Sequence, residues 1–279
     1  MSQIAANARF FCHNDTSSLD QIIFYDIASG PPVRPFAPNP WKTRYALNFK
    51  GARFVTEWIV VSEVTSTRKG LGIEPSRFFP DGEPYHTLPM IKDTSTGALV
   101  GDSFDIAIYL DKKHPNSPSL FRHSVGIYAA FNTYIDSIFP TGGILFSEGF
   151  PFNPDPEEKT KAEYYRRASV DSWDQLTVLG EERRNVLEKY QVSLREVAKY
   201  FRFSDGPFIG GKEPDYADII IGGWLMMLSV AVSEWAEIRT WHGGVLLAGL
   251  FSQAYTLLSI LTVLRDSRFY IAKLQDVLL

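Results

Sequence analysis

The chain has a single cysteine, Cys12, among its 279 residues. One cysteine excludes an intramolecular disulfide and suits a reducing compartment. Its Asn-, Thr- and Ser-containing surroundings read as a flexible arm over residues 1–20 rather than as the setting of a nucleophile. Histidine is also sparse: His13, His86, His114, His123 and His242 show no ligand spacing among themselves or with Cys12, so no metal is expected. Basic charge is in deficit, with 28 Lys and Arg against 32 Asp and Glu and a net charge of −4. Without a dense Lys/Arg run there is no footprint for nucleic acid. The first twenty residues lack both the basic and the apolar segments of a secretory signal, which leaves a cytoplasmic location as the expectation.

Long apolar runs are scarce as well. Residues 217–232 are nearly all apolar but shorter than the roughly 20 residues of a membrane span, and they begin beside Asp215 and Asp218. A buried core helix explains them. Residues 243–264 are uncharged and long enough, yet Ser252, Gln253, Thr256, Ser259 and Thr262 recur every three or four residues, the mark of a half-buried helix. No membrane partner is expected.

What is present divides the chain into two unlike halves. With 45% hydrophobic and 22% charged residues, it can form one large or two ordinary domains. "QIIFYDI" and "RFVTEWIVV" are β-branched and aromatic strands on either side of a helix expected from Trp41 to Lys50, with Gly51 as its stop. "TLPMIKD" and "ALVGD" flank Thr94-Ser95-Thr96-Gly97 as a hairpin, and a helix follows from Ser103 to about Leu110. "DKKHPNSPSL" has the composition of a linker. Beyond it the period is helical, with helices expected over 125–139, 156–172, 182–203, 215–235 and 244–265. The organisation expected is an arm (1–20), an α/β domain (21–111), a linker (112–120) and an all-α domain (121–279).

Three motifs carry chemistry or capping. In "FAPNPWKTRYAL" a helix opens on prolines, which the first turn tolerates because its N–H groups lack helical partners. Such an end is either an anion site or an ordinary helix start. Asp102-Ser103 sits where a strand turns into a helix and suits an N-cap. Asp215-Tyr216-Ala217-Asp218 has the spacing of a capping box.

Taken in order, "YDI", "APNPWKTRYALNFKG", "YHTLPMIKDTSTGALVGDSFDIAIYLDKKHP" and "GPFIGGKEPDYADIIIGGWLM" resemble the cytosolic glutathione transferases over about residues 21–244. The resemblance is greatest to the fungus-specific class A group, which is similar to the bacterial β-etherase-like transferases. It implies a thioredoxin-like N-terminal domain that binds glutathione as co-substrate, a helical C-terminal domain that holds an acceptor, and commonly a homodimer. The implied activity is conjugation of hydrophobic aromatic or phenolic electrophiles in detoxification. The alternative is a non-catalytic ligandin for aromatic compounds or glutathione conjugates.

The resemblance also assigns residues. It implies a cis Leu88-Pro89 bond, with the N–H and C=O of Leu88 pairing with the tripeptide, Thr87 beside it, and His86 either contacting the tripeptide or filling the loop. The Asp102 carboxylate would face the α-amino group, and the Ser103 hydroxyl with the helix amides would face the α-carboxylate. Lys42 and Arg44 either meet the glycyl carboxylate or face solvent. Where the fungal group commonly carries serine ahead of the Pro-Asn pair, this chain has Ala37. The remaining donors to sulfur are the helix-start amides with Asn39, or another hydroxyl such as Ser29. The third possibility is binding without efficient turnover. Phe36, Tyr128, Phe131, Tyr134, Trp173 and Trp224 are the aromatic residues expected along the acceptor wall.

Overall fold

A computed structural model describes residues 21–152 and 157–248. The arm with Cys12, and the expected helix over 244–265 beyond Ala248, lie outside the described residues.

Strand β1 (Ile22–Ile27) is central, so both of its faces are covered and its apolar run is nearly continuous. It pairs in parallel with β2 (Phe54–Ile59) across helix α1 (Pro38–Phe49). On its other side it pairs antiparallel with β5 (Met90–Asp93), which forms a hairpin with β6 (Leu99–Gly101). The sheet order is β2-β1-β5-β6. Gly97 at φ +75° makes the hairpin turn, a conformation open to a residue without Cβ. Between β2 and β5 lie a short helix α2 (Val64–Gly70) and a two-residue hairpin of β3 (Arg77–Phe78) and β4 (Pro84–Tyr85).

Helix α1 starts three residues ahead of the expected Trp41, because Pro38 already occupies its first position, where a missing N–H removes no bond. Gly51 at φ +65° follows its end, as expected. Helix α3 (Ser103–Lys113) runs past Leu110 into the segment expected as linker; Lys112 and Lys113 in its last turn complement the helix dipole.

The second half is helical: α4 (Val125–Ile138), α5 (Glu157–Ala168), α6 (Gly180–Ala198), α7 (Tyr216–Ala231), α8 (Trp235–Ile238) and α9 (Val245–Ala248). The expected helix over 182–203 ends in a 3-10 turn from Lys199, and the one over 215–235 breaks at Val232, whose backbone is extended. The capping box forms: Asp215 accepts from the Ala217 N–H at 2.9 Å, and Asp218 accepts from the Asp215 N–H at 3.0 Å. Helix α7 is apolar all round because it runs through the core, and α1 lies against both α7 and α3. Among the described residues no helix is long and apolar enough to cross a membrane.

Burial of α1 on both sides corrects one expectation. Neither Lys42 nor Arg44 faces solvent; both side chains are fully buried. Arg44 pairs with buried Asp26 at 2.8 Å and lies over the rings of Phe24, Phe54 and Trp58. Lys42 donates to Asp136 at 2.7 Å and to Asn132 at 3.0 Å, both on α4.

Candidate functional site

Three chain reversals meet at one end of the sheet: the start of α1, the turn into β5, and the start of α3. The Asp102 N–H donates to the Pro89 carbonyl at 3.2 Å, which ties the second to the third. The Leu88-Pro89 bond is cis. Leu88 is buried, and among the described residues no backbone group is bonded to its N–H or C=O. An unpaired peptide unit at the end of a strand is a template for another extended chain.

Asp102 stands at φ +77°, ψ 135°, a region that residues with a Cβ seldom take and that costs on the order of 1–3 kcal/mol. Its carboxylate accepts from the Phe104 N–H at 3.1 Å and so caps α3. Ser103 is buried, and its carbonyl accepts from the hydroxyl of Tyr216 on α7 at 2.9 Å. The corner is therefore held from the helical half too.

Buried Arg68 on α2 braces the same corner. Its Nε donates to the Glu74 carbonyl and its Nη1 to the Thr87 carbonyl, each at 2.7 Å. Gly101 leaves the room for it, since a Cβ there would lie 2.5 Å from Arg68 Nη2. His86 is buried with neither ring nitrogen hydrogen-bonded. Burial, together with the charges of Arg68, Lys69, Arg166 and Arg167, moves its pKa below the ordinary value, so the ring is neutral at pH 7.

At the start of α1, Ala37 makes no side-chain cap. Pro38 and Pro40 carry no N–H, so Asn39 supplies the one backbone donor of the first three helical positions. The Asn39 Oδ1 atom is buried without a hydrogen-bond partner. Ser29 differs: it is fully buried, its hydroxyl donates to the Gly30 carbonyl at 2.9 Å and accepts from the Arg34 N–H at 2.7 Å. It serves its own loop and has no hydroxyl hydrogen to spare for sulfur. Lys42 is likewise engaged by α4, and burial lowers its pKa against the opposing pull of Asp136.

The expected acceptor aromatics separate. Tyr128 is buried, donates to Asp215 at 2.7 Å and accepts from the Arg122 N–H. Trp224 stacks on Phe139 and donates to Asp136 at 2.7 Å. Both belong to the packing of α4 and α7 and present no wall. Phe131 and Tyr134 are half-buried against Tyr200. Phe36 is itself buried and backs Phe150 at 6.0 Å, while the half-buried Phe150, Phe152, Tyr164 and Trp173 form a continuous aromatic cluster next to the start of α1. Burial pushes the Tyr164 hydroxyl up to about 12, so it stays protonated and is a donor. Sequence reading missed Phe150, Phe152 and Tyr164, although "GFPF" and "YY" were visible aromatic clusters. Arg68 had no such signal.

Comparison with known proteins agrees with this architecture. Residues 36–113 match the glutathione S-transferase N-terminal domain, and residues 132–252 match the glutathione S-transferase C-terminal domain. The chain is 32% identical to the glutathione S-transferase CsGST63524 of Ceriporiopsis subvermispora, crystallised in complex with glutathione, with 88% of this chain and 99% of that one covered at a TM-score of 0.78. It is 25% identical to glutathione transferase GSTFuA3 of Phanerochaete chrysosporium, over 86% of this chain and 98% of that one, at a TM-score of 0.71. The glutathione S-transferase-like protein ustS of Aspergillus flavus is 25% identical over 79% of this chain and 85% of its own length. With a thioredoxin-like sheet, a helical second half and a relative of this identity and coverage, the chain belongs to the glutathione transferase family.

Proposed function

We propose that the protein binds glutathione at the corner of Leu88, Asp102 and Ser103 and transfers it to aromatic or phenolic electrophiles, as a cytoplasmic, homodimeric enzyme of the fungal class A type. The observation that carries this reading is the unpaired Leu88 peptide unit beside the strained Asp102. A γ-glutamyl tripeptide has an extended backbone to pair with Leu88 and a zwitterionic end that suits a carboxylate next to a helix start. Its thiol is the nucleophile of the reaction. Thr87 and neutral His86 border the tripeptide, and the likeness to the glutathione complex of CsGST63524 supports the same occupant. Phe150, Phe152, Tyr164 and Trp173 present the acceptor face, with buried Phe36 behind Phe150; Phe131 and Tyr134 lie further along the helical half.

A free thiol has a pKa near 8.5, and each unit of depression requires about 1.36 kcal/mol of preference for the thiolate. Without a hydroxyl at position 37, that preference falls to Asn39, through its backbone N–H and its side-chain amide, aided by the helix dipole. A second reading rests on Ala37 together with the two prolines that strip donors from α1: a ligandin that holds aromatic compounds or conjugates without turnover. Titrating bound glutathione by thiolate absorbance separates the two. A thiol pKa well below the free value supports the transferase, an unshifted value the ligandin, and failure to bind glutathione removes both the Leu88 assignment and the transferase.

A further inference from the structure

The residues just before Leu88 are pinned carbonyl by carbonyl. The Tyr85 carbonyl accepts from the Ser76 N–H at 3.0 Å, and the Thr87 carbonyl accepts from Arg68 at 2.7 Å. The His86 carbonyl between them accepts from Arg167 Nη2 at 3.1 Å. Ser76 and Arg68 belong to the sheet half of the molecule, whereas Arg167 sits on α5 in the helical half. Its guanidinium is held in place: Nε donates to Glu163 at 2.9 Å, and the group lies 5.0 Å over the Tyr85 ring. Glu163, in turn, is kept below the usual carboxylate range by Arg166 and Arg167 against the opposing effect of burial. The neighbouring Arg166 stacks on Phe79 at 4.3 Å but makes no bond to the 85–87 segment among the described residues. One turn back on α5, Tyr164 belongs to the aromatic cluster that Phe36 backs.

We propose that Arg167 is a positioning residue for the tripeptide edge, and that through it α5 links the aromatic face to glutathione affinity. The inference rests on the proposed glutathione site. A charge-assisted bond to the buried His86 carbonyl orients the His86–Thr87 peptide plane, one peptide ahead of the Thr87–Leu88 unit whose carbonyl Arg68 holds. Tyr164 and Arg167, three residues apart, lie on neighbouring parts of one helix surface, so an acceptor that presses on Tyr164 shifts the same turn that carries Arg167. Arg167→Lys keeps the charge and a donor but loses the flat guanidinium over Tyr85 and the fixed fork that bonds Glu163 and the His86 carbonyl at once, so it restores only part of the effect.

The test is calorimetric binding of glutathione to the full chain and to Arg167→Ala, Arg167→Lys and Arg166→Ala, together with amide exchange of the unliganded proteins over residues 85–90. Arg167→Ala is expected to weaken glutathione binding roughly five- to thirtyfold, as loss of one charge-assisted bond would. It should also speed exchange over 85–90. Arg167→Lys is expected in between, and Arg166→Ala is expected to match the wild type in both. A merely structural role would lower the melting temperature of both alanine variants while leaving glutathione affinity in place. Unchanged affinity and exchange in Arg167→Ala would overturn the inference. If the wild type binds no glutathione, the site reading fails, and faster exchange in Arg167→Ala would still show that the carbonyl pin exists.

Discussion

On the proposed reading, Asn39 is the residue on which activation of the glutathione sulfur depends. It offers a backbone donor in a helix turn whose flanking prolines offer none, and its amide oxygen is buried and unpartnered. Asn39→Ala is expected to lower kcat toward a model electrophile tenfold or more, about 1.4 kcal/mol in the barrier, and to raise the pKa of the bound thiol in parallel. Equal pKa values in the two proteins would remove the side-chain amide and leave sulfur activation to the backbone N–H and the helix dipole, which the substitution keeps. At the same scale, Glu234 reports on acid stability. Two bonds from Arg183, each at 2.7 Å, hold its carboxyl down at about 2 from an ordinary 4.5. Because the folded pKa lies below the unfolded one, its contribution is complete above pH 4.5 and disappears as pH falls toward 2. Partial exposure reduces the effect to on the order of 1–2 kcal/mol. Urea unfolding across that window should show a shallower acid loss for Glu234→Gln than for the wild type.

Among elements, the contact of α1 with α7 decides where the start of α1 points. It depends on Gly223, where a Cβ would stand 2.6 Å from the Pro38 carbonyl oxygen and 2.8 Å from Lys42 Cγ. The carbonyl is backbone and cannot swing aside. Gly223→Ala is therefore expected to destabilise the fold by about 1–3 kcal/mol and to weaken glutathione binding, since α1 must lift away with Ala37 and Asn39 on its first turn. Denaturant unfolding and calorimetry on the same variant check both effects; neutrality in both would mean that α1 has room to yield. Element identity itself was largely legible: β-branched and aromatic runs and a hairpin turn marked the strands that form the four-stranded sheet, and proline, glycine and capping residues marked most helix ends. The boundaries that shifted did so for local reasons, such as the extended Val232 that ends α7 before Trp235.

Across the whole molecule, the two halves are joined by a buried polar knot. Lys42 from α1, Asn132 and Asp136 from α4, and Trp224 from α7 converge, with Asp136 accepting from both Lys42 and the Trp224 indole at 2.7 Å. Lys42 is fully buried, whereas Asp136 keeps 31% of its side chain exposed. Removing the partner of the buried charge costs more than removing the charge itself. Asp136→Ala is expected to cost about 3–5 kcal/mol, and Lys42→Met clearly less, because Asp136 retains water, Asn132 and Trp224 as partners. Equal losses in urea unfolding would show that Lys42 gains little from Asp136. The same knot explains why Lys42, on a helix that reads as exposed, carries no free charge toward a ligand.

By itself, the sequence determined the order of strands and helices, the hairpin at Gly97, the capping box at Asp215 and Asp218, and the family, because each rests on near neighbours along the chain. Through the family resemblance it also singled out Leu88, Asp102 and Ser103, and the fold then brought them to one corner by the bond from the Asp102 N–H to the Pro89 carbonyl. Only the tertiary structure decided what Ser29, Lys42, Tyr128 and Trp224 do. Their partners lie on other elements or, for Ser29, in the folding back of its own loop, and a hydroxyl, ammonium or indole already satisfied there has little left to offer a ligand. Arg68, Arg167 and the aromatic face from Phe150 to Trp173 emerged for the converse reason. Residues far apart in the chain acquire a shared role only when packing brings α2, α5 and the segment after α4 onto the same end of the sheet.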